Sequence, residues 1–578
     1  MVTPIGMGCM RLSTEADRDP ERALVTLTAA ADAGVTLFDT AHAYALSHEE
    51  LGHNERLLGR ALRGHEVRIV TKGGMARPQG RWVADGRAST IRADCEASLA
   101  ALDGLPIDLY LLHAPDPRTP WETSVRALAS LVDRGWVRRV GVSNVNRLQL
   151  DAALELAPIA AVEVALSPFE DKALQGGVVS RCIEKGLEIL AHAPLGGPER
   201  APRHARDEVL LGVARRHGVG GADVAIAFLR ALHPSLTPLP GARHPETARA
   251  CAVAQRLRLD ASDLQVLRER FPRVRLPEPT LRTHRESAPE VVLVMGLQGS
   301  GKTESVATWV ERGYERLNRD LRGGSLREVH RALDARLASG ARRVVLDNTY
   351  VTRAQRRDAI EAATKHGARV RGIWRDTPVA QAQINVVLRM LAAHGRLLEP
   401  GELVAKRDDL GVTPQAQYRL LRQVEPPEAD EGFAELEVVP FHRRPQAGEP
   451  AVMMSLDALL PDGSTPVASA LERLRAAGSA RLLIFGWRPD AQETTEATQA
   501  RLRSSTGLEL NIAQCTHPGG PPRCWCRPPL PGLPLAFAHA AGVDLARSVI
   551  VGIAPAHRSM AGALETAYED ATSWLSCR

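Results

Sequence analysis

Residues Gly296–Thr303 read GLQGSGKT, and their neighbours decide how the second half of this 578-residue chain must fold. The apolar run Val291-Val-Leu-Val-Met295 stands immediately before the stretch and a helix-compatible run follows it. A strand, a glycine-rich turn and a helix in that order make a phosphate loop. Gly296, Gly299 and Gly301 let the backbone curl so that N–H groups, with Ser300, face phosphate. Lys302 brings positive charge to terminal phosphates, and Thr303 offers a hydroxyl to a magnesium ion. ATP and Mg²⁺ are the expected ligands.

The chain around this loop is ordinary globular material, with 44% hydrophobic and 24% charged residues. Its length suggests about three or four domains. A formal charge of +5 is small for this length and is no ground for inferring a general affinity for nucleic acid, although a local basic groove is compatible with it. No apolar run approaches the ~20 residues that cross a bilayer, and the start lacks a basic segment leading into a hydrophobic core. A cytoplasmic protein with no membrane partner is the expectation. Eight cysteines are too few for a disulfide framework, but Cys515, Cys524 and Cys526 cluster.

Before the loop, roughly residues 1–274, short apolar segments alternate with helix-like stretches. That β/α repeat predicts an α/β body, a (β/α)₈ barrel by segment number and length, with an open doubly wound sheet as the competing arrangement. Residues 275–290, rich in proline and mixed charge, read as a linker. A second α/β body is expected over 291–445 and a third, with weaker periodicity, over 450–578.

Four dispersed residues carry the first body's chemistry. Asp39 and Tyr44 follow one predicted strand, Lys72 ends a second and His113 follows a third, at the strand ends where barrel active sites gather. A lysine beside a tyrosine favours phenolate and an aspartate can hold that lysine, which would bring the tyrosine nearer neutrality as a proton donor. His113 could bond a reacting carbonyl oxygen. A structural ion pair, a packed tyrosine and a satisfied loop histidine are the bland alternative.

In those contexts the segment resembles the aldo-keto reductase family, through FDTAHAYALSHEELGHNERLLGRAL, VTKGG, DLYLLHAP, VRRVGVSN, VEVALSPF, LEILAHAPLGG and PLPGARHPE. The resemblance implies Tyr44 as general acid tuned by Lys72 and Asp39, His113 orienting a carbonyl, and NADPH whose carboxamide is held by Ser143 and Asn144. The family's carboxamide-binding glutamine is Glu163 here, and its ring-stacking aromatic is His192. At the adenosine-phosphate end its charged anchors fall on Gly241, Thr247 and Ala250 and its asparagine on Cys251, which removes charge-assisted contacts.

On the acceptor side of the phosphate loop, RLNRD presents Asp320, and RRVVLDNTY ends in Asp347, Asn348 and Thr349. An aspartate can orient an alcohol and take its proton during phosphoryl transfer. A solvated cap and a strand-end polar residue are the alternatives. With WRDTPVAQAQINVVLRM, these motifs resemble the kinase domain of polynucleotide kinase over about 290–400, extending to 445 if EGFAELEVVPF closes it. That implies phosphorylation of an RNA or DNA 5′-hydroxyl, Asp320 as general base and Arg389 as a lid arginine, with Val387 at the preceding lid-arginine position. A small-metabolite kinase and a nucleotide-controlled scaffold are the rival readings.

In the third body, Cys515-Thr-His517 and Cys524-Trp-Cys526 supply three thiolates and an imidazole, enough to close tetrahedrally around structural Zn²⁺. This loop looks like the zinc-bearing branch of haloacid-dehalogenase-type phosphatases. Yet Ser455 stands at the nucleophile, Gly486 at the phosphate-binding hydroxyl, Pro528 at the lysine, and Ile553 and His557 at magnesium aspartates; Asp457 alone matches. The resemblance therefore implies a degenerate phosphatase.

Overall fold

The computed structural model describes residues 5–276, 288–405, 411–443, 448–477, 481–489 and 493–576. They form two compact units, residues 1–280 and 281–578. The expected linker falls largely on 277–287, outside the described residues.

In the first unit the strands are β1 Gly6–Gly8, β2 Leu37–Asp39, β3 Arg68–Gly73, the hairpin pair β4 Met75–Ala76 and β5 Val83–Ala84, then β6 Ile107–Leu112, β7 Arg139–Ser143, β8 Ile159–Ala165, β9 Glu188–His192 and β10 Leu236–Leu239. Apart from the hairpin they pair in parallel in chain order. Gly8 bridges Gly241, and its N–H donates to the Pro240 carbonyl at 2.9 Å, so the first strand meets the last. The sheet is thus a barrel and not the open alternative.

Strand alternation explains what fills it. Leu37, Val70, Leu109, Leu111, Ala161, Leu190 and Leu239 form one inner cluster, while Phe38, Ile69, Tyr110, Leu112 and Val162 pack outward under the helices. Side chains two apart share a face. The same parity therefore sends Asp39 above Leu37, Lys72 above Val70 and Glu163 above Ala161, into the barrel mouth at the C-terminal strand ends.

The second unit holds two five-stranded parallel sheets. One is β11 Glu290–Met295, β12 Glu315–Asn318, β13 Arg343–Asp347, β14 Arg369–Asp376 and β15 Glu435–Pro440, in the order β12-β13-β11-β14-β15. EGFAELEVVPF supplies the edge strand β15. The other is β16 Ala451–Ser455, β17 Arg481–Trp487, β18 Asn511–Cys515, β19 Val549–Gly552 and β20 Ala567–Asp570, in the order β18-β17-β16-β19-β20.

Three separate bodies were expected, but the last two share a core. The helix Val379–His394 is buried on more than one side, and Val386, Val387, Met390 and Leu391 join Phe485, Trp525 and Leu533 in one apolar cluster. A helix apolar around much of its circumference needs cover on more than one side. Among the described residues no helix is long and apolar enough to cross a membrane.

Candidate functional site

At the barrel mouth, Lys72 is fully buried and central. Its ammonium donates to Asp39, to the Thr40 carbonyl at 3.0 Å and to the Tyr44 hydroxyl at 3.2 Å, and Glu163 Oε2 lies 3.2 Å away. Burial depresses the lysine, but Asp39, Glu163 and Tyr44 together hold its pKa well above the ordinary value. Asp39 is pushed up to about 7 by burial, with Glu163 adding and Lys72 opposing.

Tyr44 departs from the sequence expectation. Burial dominates; Lys72 opposes it while Asp39 and Glu163 add to it, so the phenol sits above its ordinary range rather than nearer neutrality. The lysine does not offset the cost of burying a phenolate, and the tyrosine stays a protonated donor. Its ring stands edge-on to His113 at 5.8 Å. Burial and Lys72 hold His113 well below the usual histidine range, so it is a neutral imidazole.

The residues singled out for the cofactor also meet. Asn144, at φ 58°, donates from its backbone to the Glu163 carbonyl at 3.0 Å and from its side chain to Ser143 Oγ at 3.0 Å and the His113 carbonyl at 3.2 Å. Its Oδ1 is 3.1 Å from His192 Nε2. Burial lowers His192 to about 4, leaving it neutral and able to donate to that oxygen. Glu163 leans on Lys72, which turns its carboxylate toward the proton-donor cluster. Arg243 is held by Asp17 at 2.6 Å.

Two residues that sequence reasoning missed close the mouth. Trp82, in the β4–β5 hairpin, lies 6.2 Å from the Tyr44 ring and 5.8 Å from His113, and the Arg77 guanidinium stacks on it at 3.8 Å. The hairpin strands are two residues each, too short for a periodicity signal.

In the second unit, Gly296, Gly299 and Gly301 adopt φ of 141°, 85° and 82°. A Cβ on Gly299 would strike the Ala382 carbonyl oxygen. The loop is pinned from outside: Asn385 donates to the Gly299 carbonyl at 2.8 Å, Gln417 to Gln298 at 3.0 Å and Thr377 to Ser300 at 3.1 Å. Its carbonyls are thereby engaged outward. Lys302 caps the carbonyls of Gly296 and Leu297 at 3.1 and 2.7 Å. Ser300 Oγ is buried without a hydrogen-bond partner among the described residues, and Thr303 is exposed on the first turn of the helix Lys302–Glu311. The cradle fits a phosphate chain, and Thr303 is free to face a cation bound to it.

Asp320 lies just past β12, two strands from β11, a separation of about 10 Å at sheet spacing. Asn318 caps that turn, its Oδ1 accepting from Asp320 N–H at 2.7 Å while its Nδ2 donates to the Asp347 carbonyl at 2.6 Å. The Asp320 carboxylate accepts from Arg319 at 3.0 Å. Asp347 is buried and its Oδ2 is taken by Arg316. Arg389 is half-buried on the helix Val379–His394, and Arg322 ends the short turn holding Asp320.

Cys515, His517, Cys524 and Cys526 converge, their ligand atoms all within 4.8 Å of one another. Cys515 Sγ is 3.7 Å from Cys524 Sγ, and His517 Nδ1 is 3.5 and 3.3 Å from the sulfurs of Cys515 and Cys526. Tetrahedral zinc with ordinary bond lengths sets such edges at about 3.5–3.8 Å. His517 Nε2 lies 2.9 Å from Glu399 Oε2, an outer carboxylate that fixes the imidazole. The residues fit zinc. Ser455 and His557 are buried, Ile553 is half exposed, and Asp457 pairs with Arg488 at 2.8 Å. One carboxylate, already engaged, does not fit a magnesium-dependent phosphatase.

A sequence model of the aldo/keto reductase family matches residues 4–270, and one described as an AAA domain matches residues 291–396. The 6-dehydroglucose reductase of Novosphingobium aromaticivorans is 32% identical over 276 residues, 45% of this chain and 89% of that protein. A probable aldo-keto reductase 1 of Glycine max is 28% identical over 304 residues, 47% of this chain and 86% of that protein. A solved aldo/keto reductase from Klebsiella pneumoniae, in complex with NADP and acetate, is 26% identical and covers 49% of this chain and 93% of its own, with a TM-score of 0.40.

Proposed function

The chain belongs, through residues 4–270, to the aldo/keto reductase family, and from that premise we propose that its barrel reduces an aldehyde or ketone with NADPH. The carrying observation is the buried Lys72 joined to Asp39, Tyr44 and Glu163. The cofactor supplies hydride when bound. Ser143, Asn144, Glu163 and His192 would hold its nicotinamide end. Neutral His113 orients the carbonyl, and Tyr44, kept protonated, delivers a proton to the developing alkoxide. Lys72 stabilises the phenolate left behind. Oxidation of NADPH by a panel of aldehydes, lost in Tyr44→Phe, tests this.

The second unit carries a phosphate-loop, kinase-like domain. For it we propose transfer of the ATP γ-phosphoryl group to the 5′-hydroxyl of RNA or DNA. Asp320 accepts the hydroxyl proton, Lys302 and Arg389 neutralise the transferring group, and Thr303 holds Mg²⁺. Support comes from the placing of Asp320 and the phosphate loop along one edge of a parallel sheet. Turnover with 5′-hydroxyl oligonucleotides, against nucleosides and sugars, separates this from a small-molecule kinase. ATP binding without turnover on any acceptor favours a nucleotide-controlled scaffold. In the C-terminal body the four-ligand loop binds structural zinc, and the rest is a phosphatase-like sheet that lacks the acidic set for catalysis.

A further inference from the structure

Arg77 is only 5% exposed, and among the described residues its Nε and Nη1 have no hydrogen-bond partner. Burial without a countercharge lowers its pKa. A buried charge is ordinarily paired, because removal from water is costly and stacking on an indole offsets only part of that cost. Lys72, in the same mouth, already has two carboxylates; among the described residues Arg77 has no carboxylate and stacks on the Trp82 ring. That ring also faces Tyr44 and His113, so the guanidinium stands one indole away from the groups that handle the carbonyl.

We propose that Arg77 is the anion-recognition residue of the barrel, pairing with a carboxylate or phosphate on the carbonyl substrate while the carbonyl lies against Tyr44 and His113. The substrate class is an aldehyde or ketone bearing an anionic group, which deepens the reductase reading and rests on it. A planar guanidinium offers two parallel N–H donors to such a group. The contact is the same in ground and transition states, so its loss is read in KM more than in kcat.

The test uses the full chain and two aldehydes differing only in charge, 4-carboxybenzaldehyde and methyl 4-formylbenzoate. The wild type should prefer the acid by at least about tenfold in kcat/KM, the scale of one charge-assisted contact. Arg77→Met should abolish that preference through a raised KM for the acid, and Arg77→Lys should retain part of it. Glyceraldehyde 3-phosphate against glyceraldehyde tells phosphate from carboxylate as the preferred anion. Calorimetric titration of terephthalate onto the NADP⁺-loaded protein reads the pocket without turnover, with binding expected in the wild type and weakened at least about tenfold in Arg77→Met. Equal handling of acid and ester by the wild type, or equal terephthalate affinity in the two proteins, overturns the proposal. If the ester is reduced briskly in that case, the reductase reading survives. If terephthalate binds through Arg77 but neither aldehyde is reduced, the anion pocket stands and the reductase reading falls.

Discussion

The indole Nε1 of Trp525 donates to the Val412 carbonyl at 2.9 Å, across 113 residues of chain. Val412 leads into the helix Pro414–Leu421, whose Gln417 holds the Gln298 carbonyl of the phosphate loop. The thiol-rich loop of one sheet thereby reaches the nucleotide cradle of the other through two hydrogen bonds. Trp525→Phe keeps an aromatic ring, smaller than the indole, and removes the donor. It should weaken ADP binding by about three- to tenfold, the worth of one buried hydrogen bond, in a calorimetric titration. Trp525→Ala should also destabilise the second unit by about 3–5 kcal/mol in denaturant unfolding.

Zinc content provides the next check. The wild type should carry one equivalent by elemental analysis, and Cys524→Ser should lose it. Glu399→Gln should leave the site loaded but lower its zinc affinity by about 10–100-fold in chelator competition, because the outer carboxylate only fixes His517. Unchanged zinc in Cys524→Ser would remove these ligands from consideration.

For the barrel, Tyr44→Phe should lower kcat by about 10²–10⁴-fold with NADPH affinity intact, as expected for loss of a proton donor. Equal kcat in the two proteins would assign the proton to another group.

Stability should depend on pH through Asp39. Its carboxyl is raised from 3.8 to about 7 by burial, then by Glu163. The folded state holds that proton more tightly than the unfolded chain, so its contribution is full below the unfolded value and is lost as pH climbs through the folded one. The barrel's denaturation midpoint should fall between about pH 4 and pH 7, and Asp39→Asn should flatten the slope.

Asp320→Asn should cut phosphoryl transfer by about 10²–10⁴-fold while ADP still binds. Transfer at the wild-type rate would leave Asp320 as a turn residue paired with Arg319.

The phosphate loop was legible because its whole mechanism lies in eight consecutive residues. Asp39, Tyr44, Lys72 and His113 were legible because each terminates or follows a strand whose apolar run announces it. Glu163 was read as a cofactor contact; its pairing with Lys72 was missed, although strand parity with Ala161 puts it on the same inner face. The phenol's direction was misjudged because the burial of Tyr44 and the second carboxylate are tertiary facts. Arg77, Glu399 and the Trp525 contact left no local trace: each meets its neighbour through a loop or across more than a hundred residues. The sharing of the helix Val379–His394 was equally hidden, since an apolar circumference does not say what covers it.

That helix has a consequence for how the chain can change over time. A truncation after residue 445 would bare Met390, Leu391 and their neighbours to water, inviting aggregation of the remaining fragment. The C-terminal sheet therefore serves, whatever else it does, as the lagging that lets its neighbour stay folded.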